Sequence, residues 1–415
     1  MVWTTLSHHI DLDFLREAYR LTRKDGAAGV DGQTASDYAE HLEDNLQDLL
    51  DRFKSGTYKA PPVRRTYIPK GKGVRPIGIP TFEDKVLQRA VAMILEAVYE
   101  QDFLDCSYGF RPNRSAHDAL EDLWQCTMRM GGGYILEMDI AKCFDTLDRS
   151  HLRSFLDKRV RDGVIRKAID KWLKAGVLEK GKVTHPGTGT PQGGVVSPIL
   201  MNIYLHEVLD KWFATEVKPR LSQEGCLIRY ADDAVMVFYS KADAVRVLSV
   251  LPKRFGRFAL TLHPDKTKLV RFTRPGPGGK GGRSHPGTFD FLGFCHYWAR
   301  ARNGKWVVKR KTAKDRFSRA LKRISQWCRT NRHLPVKEQH AILHRKLRGH
   351  SQYYYIRGNS SSVARFYYKA GVIWRKWLNR RSQKARMTWA RFARLCKRYP
   401  IAFPRISQPR SEATV

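Results

Sequence analysis

Residues 226–239 read CLIRYADDAVMVFY, Cys226 to Tyr239. Two apolar runs flank Ala231-Asp232-Asp233, the pattern of two strands joined by a hairpin with acids at its tip. Upstream, YILEMDI (Tyr134 to Ile140) is another apolar strand, carrying Asp139 near its end. Phosphoryl transfer from a nucleoside triphosphate uses two hard divalent cations about 3.5–4 Å apart. Mg²⁺ takes carboxylate oxygens together with substrate phosphates. Asp139, Asp232 and Asp233 can supply that clamp if their strands are sheet neighbours, which makes them candidate catalytic residues and ligands of two Mg²⁺ ions. Alone, Tyr-Ala-Asp-Asp is also what a surface turn looks like, because Asp is a common turn residue. The apolar strands on both sides and the upstream acid favour the site.

Outward from this hairpin, helices and strands alternate irregularly. Leu12, Leu15, Tyr19 and Leu21 lie near one helical face within 11–24, and DGAAGVDG (Asp25 to Gly32) is a glycine-rich turn. The spacing of apolar residues predicts a second amphipathic helix over 37–53. Residues 58–79 contain Pro61, Pro62, Pro69 and Pro76, yet VRRTYIP and VRPIGIP read as strands around the basic loop KGKG. A long helix is expected over 83–99, and shorter ones over 151–162 and 165–174. GTGTPQGG (Gly187 to Gly194) is a loop that opens a helix over 197–213. Residues 255–262 and 268–272 are expected to extend the sheet, 274–287 to form a loop rich in glycine and proline, and 289–298 and 305–309 to be strands. Beyond about 311 the chain reads as helical, over 313–329, 336–354, 360–378 and 387–397, with Asn359 a fitting N-cap for the third of these. There is no internal repeat.

The 415 residues carry a formal net charge of +36. Thirty-one Lys or Arg but only two acids, Asp315 and Glu338, lie between Arg300 and Arg405, so the rest of the chain is nearly balanced. A solvated basic face is the plain alternative; the density of charge and the interleaved aromatics favour nucleic acid. Arg375, Lys376, Arg380 and Arg381 are candidate nucleic-acid contacts within this polycation. A hydrophobic content of 42% excludes a disordered chain. The seven cysteines, Cys106, Cys126, Cys143, Cys226, Cys295, Cys328 and Cys396, are scattered without a CxxC. Reduced thiols are therefore expected, rather than a disulfide framework or a zinc site. MVWTTLSHHIDLDF lacks the basic start and apolar run of a signal peptide. No apolar stretch reaches the length of a membrane span, so a cytoplasmic protein without a membrane partner is expected.

Other candidates each carry two readings. Phe144, five residues after Asp139, can sit under the sugar of an incoming nucleotide and exclude a 2′-hydroxyl, or be an ordinary core phenylalanine. PQGG (Pro191 to Gly194) can bring backbone close to a base pair, or simply start a helix. Lys70 and Arg75 can hold triphosphate oxygens, or decorate a solvated turn. Tyr353 and Tyr354 can stack on unpaired bases, or belong to a helical core.

The stretches DGAAGVDG, YIPKGKGVRPIGIPTFEDKVLQRAV, CSYGFRPNRSAHDAL, MDIAKCFDTLD, GTPQGGVVSPILMNIYLHEVLD, RYADDAVMVF, HPDKTKLVRF, FDFLGFCHYW and LRGHSQYYYIRG run through nearly the whole chain. In kind and order they resemble the group II intron-encoded reverse transcriptase/maturase family. The resemblance implies that Asp139, Asp232 and Asp233 are the polymerase metal ligands and that Phe144 is the sugar gate. It implies that Lys70 and Arg75 grip the triphosphate, that Gln192 lies beside the nascent pair, and that Leu292-Gly293-Phe294 is the primer-grip turn. It further implies an α+β right-hand polymerase, with an N-terminal extension over 1–36 and fingers and palm over 37–304. A helical thumb (domain X) would span 305–380 and a small basic DNA-binding segment 381–415.

The activity so implied is RNA-directed DNA synthesis from deoxynucleoside triphosphates with Mg²⁺. The partners would be a group II intron RNA template and a DNA primer or target, with help to splicing and retrohoming. Many members carry a C-terminal HNH endonuclease with paired cysteines and histidines; that cluster is missing from this sequence, so cleavage of the second target strand is not expected. One rival is a catalytically inactive RNA-binding splicing cofactor, against which the intact carboxylates argue. Another is a domesticated reverse transcriptase in phage defence or repair, which would share the polymerase chemistry.

Overall fold

The prolines of residues 58–79 do not prevent the expected hairpin, because of where they fall. In the computed structural model, strands β1 (Val63–Lys70) and β2 (Gly73–Ile79) pair antiparallel, with Pro69 opposite Val74 and Pro76 opposite Tyr67. With strands β4 (Val177–Glu179) and β5 (Lys182–Thr184) the order of that sheet is β2-β1-β4-β5, which makes β2 an edge, and β4 touches β1 only at Val63 and Arg64. Both strand prolines thus stand where a second ladder partner is not required. Residues 1–70, 73–141, 143–179, 181–184, 193–276, 286–382 and 386–401 are described by the structure. The chain divides into two compact units, Met1–Val270 and Arg271–Val415.

In the first unit, β3 is Tyr134–Asp139, β4 Val177–Glu179, β5 Lys182–Thr184, β6 Gly225–Tyr230 and β7 Asp233–Phe238, and β8 (Lys268–Arg271) runs to the first residue of the second unit. A second sheet runs β6-β7-β3-β8, with β6–β7 and β7–β3 antiparallel. Its apolar residues, among them Leu136, Met138 and Met236, pack into one core with the helices. The helix Phe82–Tyr99 is capped by the Thr81 side chain and buries Val86, Leu87, Ala90, Val91, Ile94, Leu95 and Val98, the expected stripe.

Several elements differ from expectation. The predicted helix over 37–53 is two, Ala35–Ala39 and Leu42–Lys54, the first opened by a capping box between Thr34 and Asp37. The helix predicted over 197–213 is α-helical over Ser197–Leu205 and then widens into π turns at His206–Asp210 and Phe213–Val217. Residues 255–262 do not form a strand: Phe255 and Gly256 are the last residues of the helix Lys241–Gly256, and the contact with the sheet is a bridge from Leu262 to Ile140. The cysteines are not all free thiols. Cys126, on the helix Ala116–Arg129, and Cys226, on the packed strand β6, are disulfide-bonded across 100 residues of sequence, whereas the other five are free.

The second unit contains β9 (Phe289–Phe291), β10 (Phe294–Arg300) and β11 (Trp306–Thr312), an antiparallel sheet ordered β11-β10-β9. The single strand expected over 289–298 is therefore a hairpin. Helices Lys314–Thr330, Val336–Tyr354, Ser360–Leu378 and Trp389–Arg398 follow, around a core that includes Ile324, Leu343, Leu347, Phe366 and Trp374. Asn359 precedes the third helix but does not cap it with its side chain. Its amide instead accepts from Thr312 N at 2.9 Å and donates to Thr312 Oγ1 at 2.9 Å and to the Tyr354 carbonyl at 2.7 Å. Among the described residues no helix is long and apolar enough to cross a membrane.

Candidate active site

Strands β3 and β7 are neighbours, and Asp139 is the direct partner of Asp233 across them. Directly opposed residues share a face of the sheet, with Cβ atoms about 4.5–5.5 Å apart. The β6–β7 hairpin closes on the pair Tyr230 and Asp233, leaving Ala231 and Asp232 as the turn. Hence the register alone brings all three acids to one end of one sheet. Lys266 Nζ lies 2.9 Å from Asp139 Oδ2, and His263 N donates to the Asp139 carbonyl at 2.8 Å. Among the described residues, no three His, Cys, Asp or Glu side chains already converge in a metal-holding cluster. The donor set nonetheless suits Mg²⁺: it is made of hard carboxylate oxygens, one of which already attracts a cation. Mg²⁺ usually keeps waters and takes substrate phosphates, so a complete protein cage is not required.

Beneath this turn lies a residue that the sequence pattern does not single out. Arg229, the last residue but one of β6, is wholly buried. Its Nε and Nη2 donate to the two oxygens of Asp210 at 2.7 and 2.6 Å. Nη1 donates to Asn202 Oδ1 and to the Ala231 carbonyl, both at 3.0 Å, and Nη2 to Ser107 Oγ at 2.6 Å. Burial disfavours the guanidinium charge, but Asp210 outweighs it and holds Arg229 above the ordinary arginine range. The available signal was a lone arginine inside an apolar strand, since a charge is buried only when paired.

Lys70 ends β1 opposite Gly73, and Arg75 stands in β2 opposite Ile68. Phe144 falls in the short helix Cys143–Thr146 that follows β3. Gln192 lies outside the described residues, as do the side chains of Lys70 and Phe144. The chain is described again from Gly193, just before the helix Ser197–Leu205. There Val196 N donates to Gln88 Oε1 at 3.3 Å, and Gln88 Nε2 donates to Asp84 Oδ2 at 2.9 Å. The other oxygen of Asp84 accepts from Trp172 Nε1 at 2.7 Å and from the Tyr58 hydroxyl. Burial pushes Asp84 up to about 6, against the opposing pull of these hydrogen bonds.

In the second unit, Leu292-Gly293 forms the two-residue turn between β9 and β10, since Phe291 pairs with Phe294. Both turn residues have positive φ, 48° and 81°, as a type I′ hairpin turn requires. The Leu292 carbonyl accepts from the Tyr353 hydroxyl at 2.7 Å, and the Gly293 carbonyl accepts from Ala313 N at 2.9 Å. Phe294 is fully buried against the rings of Tyr353 and Tyr354. Of the two readings of these tyrosines, the core one describes their contacts. Arg375 donates to the Met387 carbonyl at 2.8 Å and covers the Trp389 ring at 3.9 Å. Lys376, Arg380 and Arg381 are exposed. Together with Arg329, Arg332 and Trp377, Arg380 lines an open cleft of about 440 Å³.

Residues 68–296 match the family described as "Reverse transcriptase (RNA-dependent DNA polymerase)". The group II intron-encoded protein LtrA of Lactococcus lactis subsp. cremoris is 43% identical over 200 residues, which are 48% of this chain and 32% of that protein. Protein YkfC of Escherichia coli (strain K12) is 34% identical over 294 residues, 62% of this chain and 76% of its own length. Nuclear intron maturase 2, mitochondrial, of Arabidopsis thaliana is 26% identical over 276 residues, 55% of this chain and 36% of that protein. The chain thus spans about a third of the LtrA and plant relatives and three quarters of the bacterial YkfC.

Proposed function

The chain belongs to the reverse transcriptase (RNA-dependent DNA polymerase) family and, within it, to the group II intron-encoded reverse transcriptases and maturases, and on that premise we propose that it copies RNA into DNA and binds intron RNA to assist splicing and retrohoming. The observation that supports this best is the pairing of Asp139 with Asp233 beside a turn that carries Asp232. These carboxylates would hold two Mg²⁺ ions, which would supply activation of the primer 3′-hydroxyl and neutralisation of charge on the triphosphate.

The other residues bind and orient. Lys70 and Arg75, on the β1–β2 hairpin, grip the triphosphate oxygens, the guanidinium through its planar fork. Phe144 lies under the deoxyribose and excludes a 2′-hydroxyl. Gln192 lies beside the nascent pair, and Leu292-Gly293-Phe294 holds the primer end. Residues 37–304 act as fingers and palm, 305–380 as a helical thumb (domain X), 381–415 as a basic DNA-binding segment and 1–36 as an N-terminal extension on RNA. The partners are deoxynucleoside triphosphates, a group II intron RNA template and a DNA primer or target. Arg375, Lys376, Arg380 and Arg381 contribute to backbone contacts with the nucleic acid.

Primer extension and RNA binding, measured on the same preparations of Asp139→Ala and Asp232→Ala, test the assignment. Extension should vanish while RNA affinity stays close to wild type, because the polycation is remote in sequence from both residues. Extension at the wild-type rate would remove the metal assignment.

A further inference from the structure

A guanidinium has five N–H donors, and Arg229 uses all five inside the protein. A buried ion pair is not needed for stability as such, since apolar residues of similar volume often serve as well or better. What apolar residues cannot do is bind a carbonyl, and Arg229 binds that of Ala231. Ala231 has φ 57°, a backbone state that costs a residue with a Cβ and persists only where the surroundings fix it. Those surroundings are close. A Cβ on Gly109 would come within 2.4 Å of Ala231 N, so only glycine fits there. The Gly109 carbonyl in turn accepts from Asn202 Nδ2 at 2.7 Å. The turn that precedes Asp232 and Asp233 is therefore held at its carbonyl by Arg229 and crowded at its amide by Gly109.

Asn202 and Asp210 lie on one continuous helical segment, and its shape explains how both reach Arg229. In an α-helix, with about 3.6 residues per turn, positions seven apart point within about 20° of each other, and positions eight apart about 80° apart. The π turn at His206–Asp210 inserts an extra residue, which brings the eighth position round to the face of the first. π turns inside helices recur at functional sites for such reasons. Just before the same segment, Val196 N donates to Gln88 Oε1.

We propose that Arg229, with Asp210 and Asn202, is a positioning node that sets the backbone of the Ala231-Asp232-Asp233 turn and so aims the two carboxylates at the metal. This rests on the reading of Asp232 and Asp233 as metal ligands. None of the three node residues is itself catalytic. A lysine at 229 has three donors on one nitrogen and cannot span Asp210, Asn202, Ser107 and the Ala231 carbonyl together.

The test compares Arg229→Lys and Asn202→Ala with wild type and with Leu49→Ala, a core truncation on the separate helix Leu42–Lys54. Three readouts are taken well below each melting midpoint: amide hydrogen exchange of the 229–234 segment without metal, direct Mn²⁺ binding by electron spin resonance, and the Mg²⁺ concentration for half-maximal primer extension. Both node variants should exchange faster at 230–233. They should bind Mn²⁺ about tenfold more weakly, the usual effect of losing an outer support of a metal ligand, and raise the Mg²⁺ requirement by a similar factor. The KM for nucleotide at saturating metal should stay unchanged. Leu49→Ala should lower the midpoint without these changes. Exchange and Mn²⁺ affinity equal to those of Leu49→Ala would overturn the proposal. Should Arg229→Lys fail to fold, Asn202→Ala, which removes no charge, decides alone. If wild type binds Mn²⁺ through Asp232 but extends no primer, the polymerase reading fails while the node is still tested by exchange and binding.

Discussion

Replacing Gly293 with alanine would separate what the β9–β10 turn does for folding from what it does for a primer. Gly293 sits at φ 81°, where an L residue with a Cβ pays about 1–2 kcal/mol. The new Cβ would also lie 2.9 Å from Tyr354 Oη. That hydroxyl cannot simply swing aside, because the Tyr354 ring packs on Phe294 at 5.2 Å and on His350 at 4.5 Å between centroids. Forcing packed groups apart typically costs about 1–3 kcal/mol. The expected loss is thus about 2–5 kcal/mol from the second unit, read by urea unfolding. Tyr354→Phe in the Gly293→Ala background should return part of it, since it removes the clashing oxygen; the two residues are in contact and their effects should not add. At a temperature where the variant is folded, the KM for primer–template should rise while the KM for deoxynucleotide holds. Stability equal to wild type would refute the account of the turn. Lower stability with an unchanged primer–template KM would keep the fold argument and remove the primer-grip role.

Phe144→Ala or Phe144→Val should let ribonucleotides in, so the ratio of deoxynucleotide to ribonucleotide use falls; an unchanged ratio would return Phe144 to the core. Asp84, raised to about 6 in the fold from about 3.9 in an unfolded chain, binds its proton more tightly when folded. The stability this group contributes should therefore be fully present below about pH 4 and be lost as pH rises through 6, by about 3 kcal/mol in all. Urea midpoints of wild type and Asp84→Asn across that window should diverge accordingly, and parallel curves would show that the carboxylate does not titrate there. Charge reversal at Lys376, Arg380 and Arg381, sparing Arg375 because it braces Met387 and Trp389, should flatten the salt dependence of RNA binding by about 0.7–0.9 in log–log slope per lost contact. Coincident slopes would make this stretch a solvated face.

The elements legible in the sequence were those with an uninterrupted local pattern. Helices Val336–Tyr354 and Ser360–Leu378 occupy the expected residues because each carries an apolar stripe between clear breaks at Pro335 and at Gly358-Asn359. The helix Ala116–Arg129 was not expected, although it had a local sign in the capping box of Ser115 and Asp118. The helix Lys241–Gly256 was masked by Pro252 in its interior, a residue that normally ends a helix. The two π turns depend on tertiary partners and have no sequence period of their own. At the site, Asp139 and Asp233 were legible because acids end apolar strands. Arg229 stood in the same stretch, but its partners Asp210, Asn202 and Ser107 lie 19, 27 and 122 residues away. The disulfide escaped for the same reason of distance along the chain.

Aromatic residues in the basic unit divide by role, and the division bears on how it can bind RNA. Tyr353 and Tyr354 look like stacking residues in a list of Arg and Tyr, yet they are occupied with Phe294 and the Leu292 carbonyl. Trp374 is fully buried and donates to Gln339 at 3.0 Å. Tyr368, on the helix Ser360–Leu378, is 68% exposed, and Arg365 and Lys369 on the same helix are exposed as well. An exposed ring among cations is what stacks on an unpaired base, whereas a ring that holds a turn acts on affinity only through the fold. Substituting the tyrosines by composition alone would therefore confuse two effects. Loss of Tyr353 would lower the unfolding midpoint and the affinity together, and loss of Tyr368 would lower affinity at constant midpoint and constant salt slope.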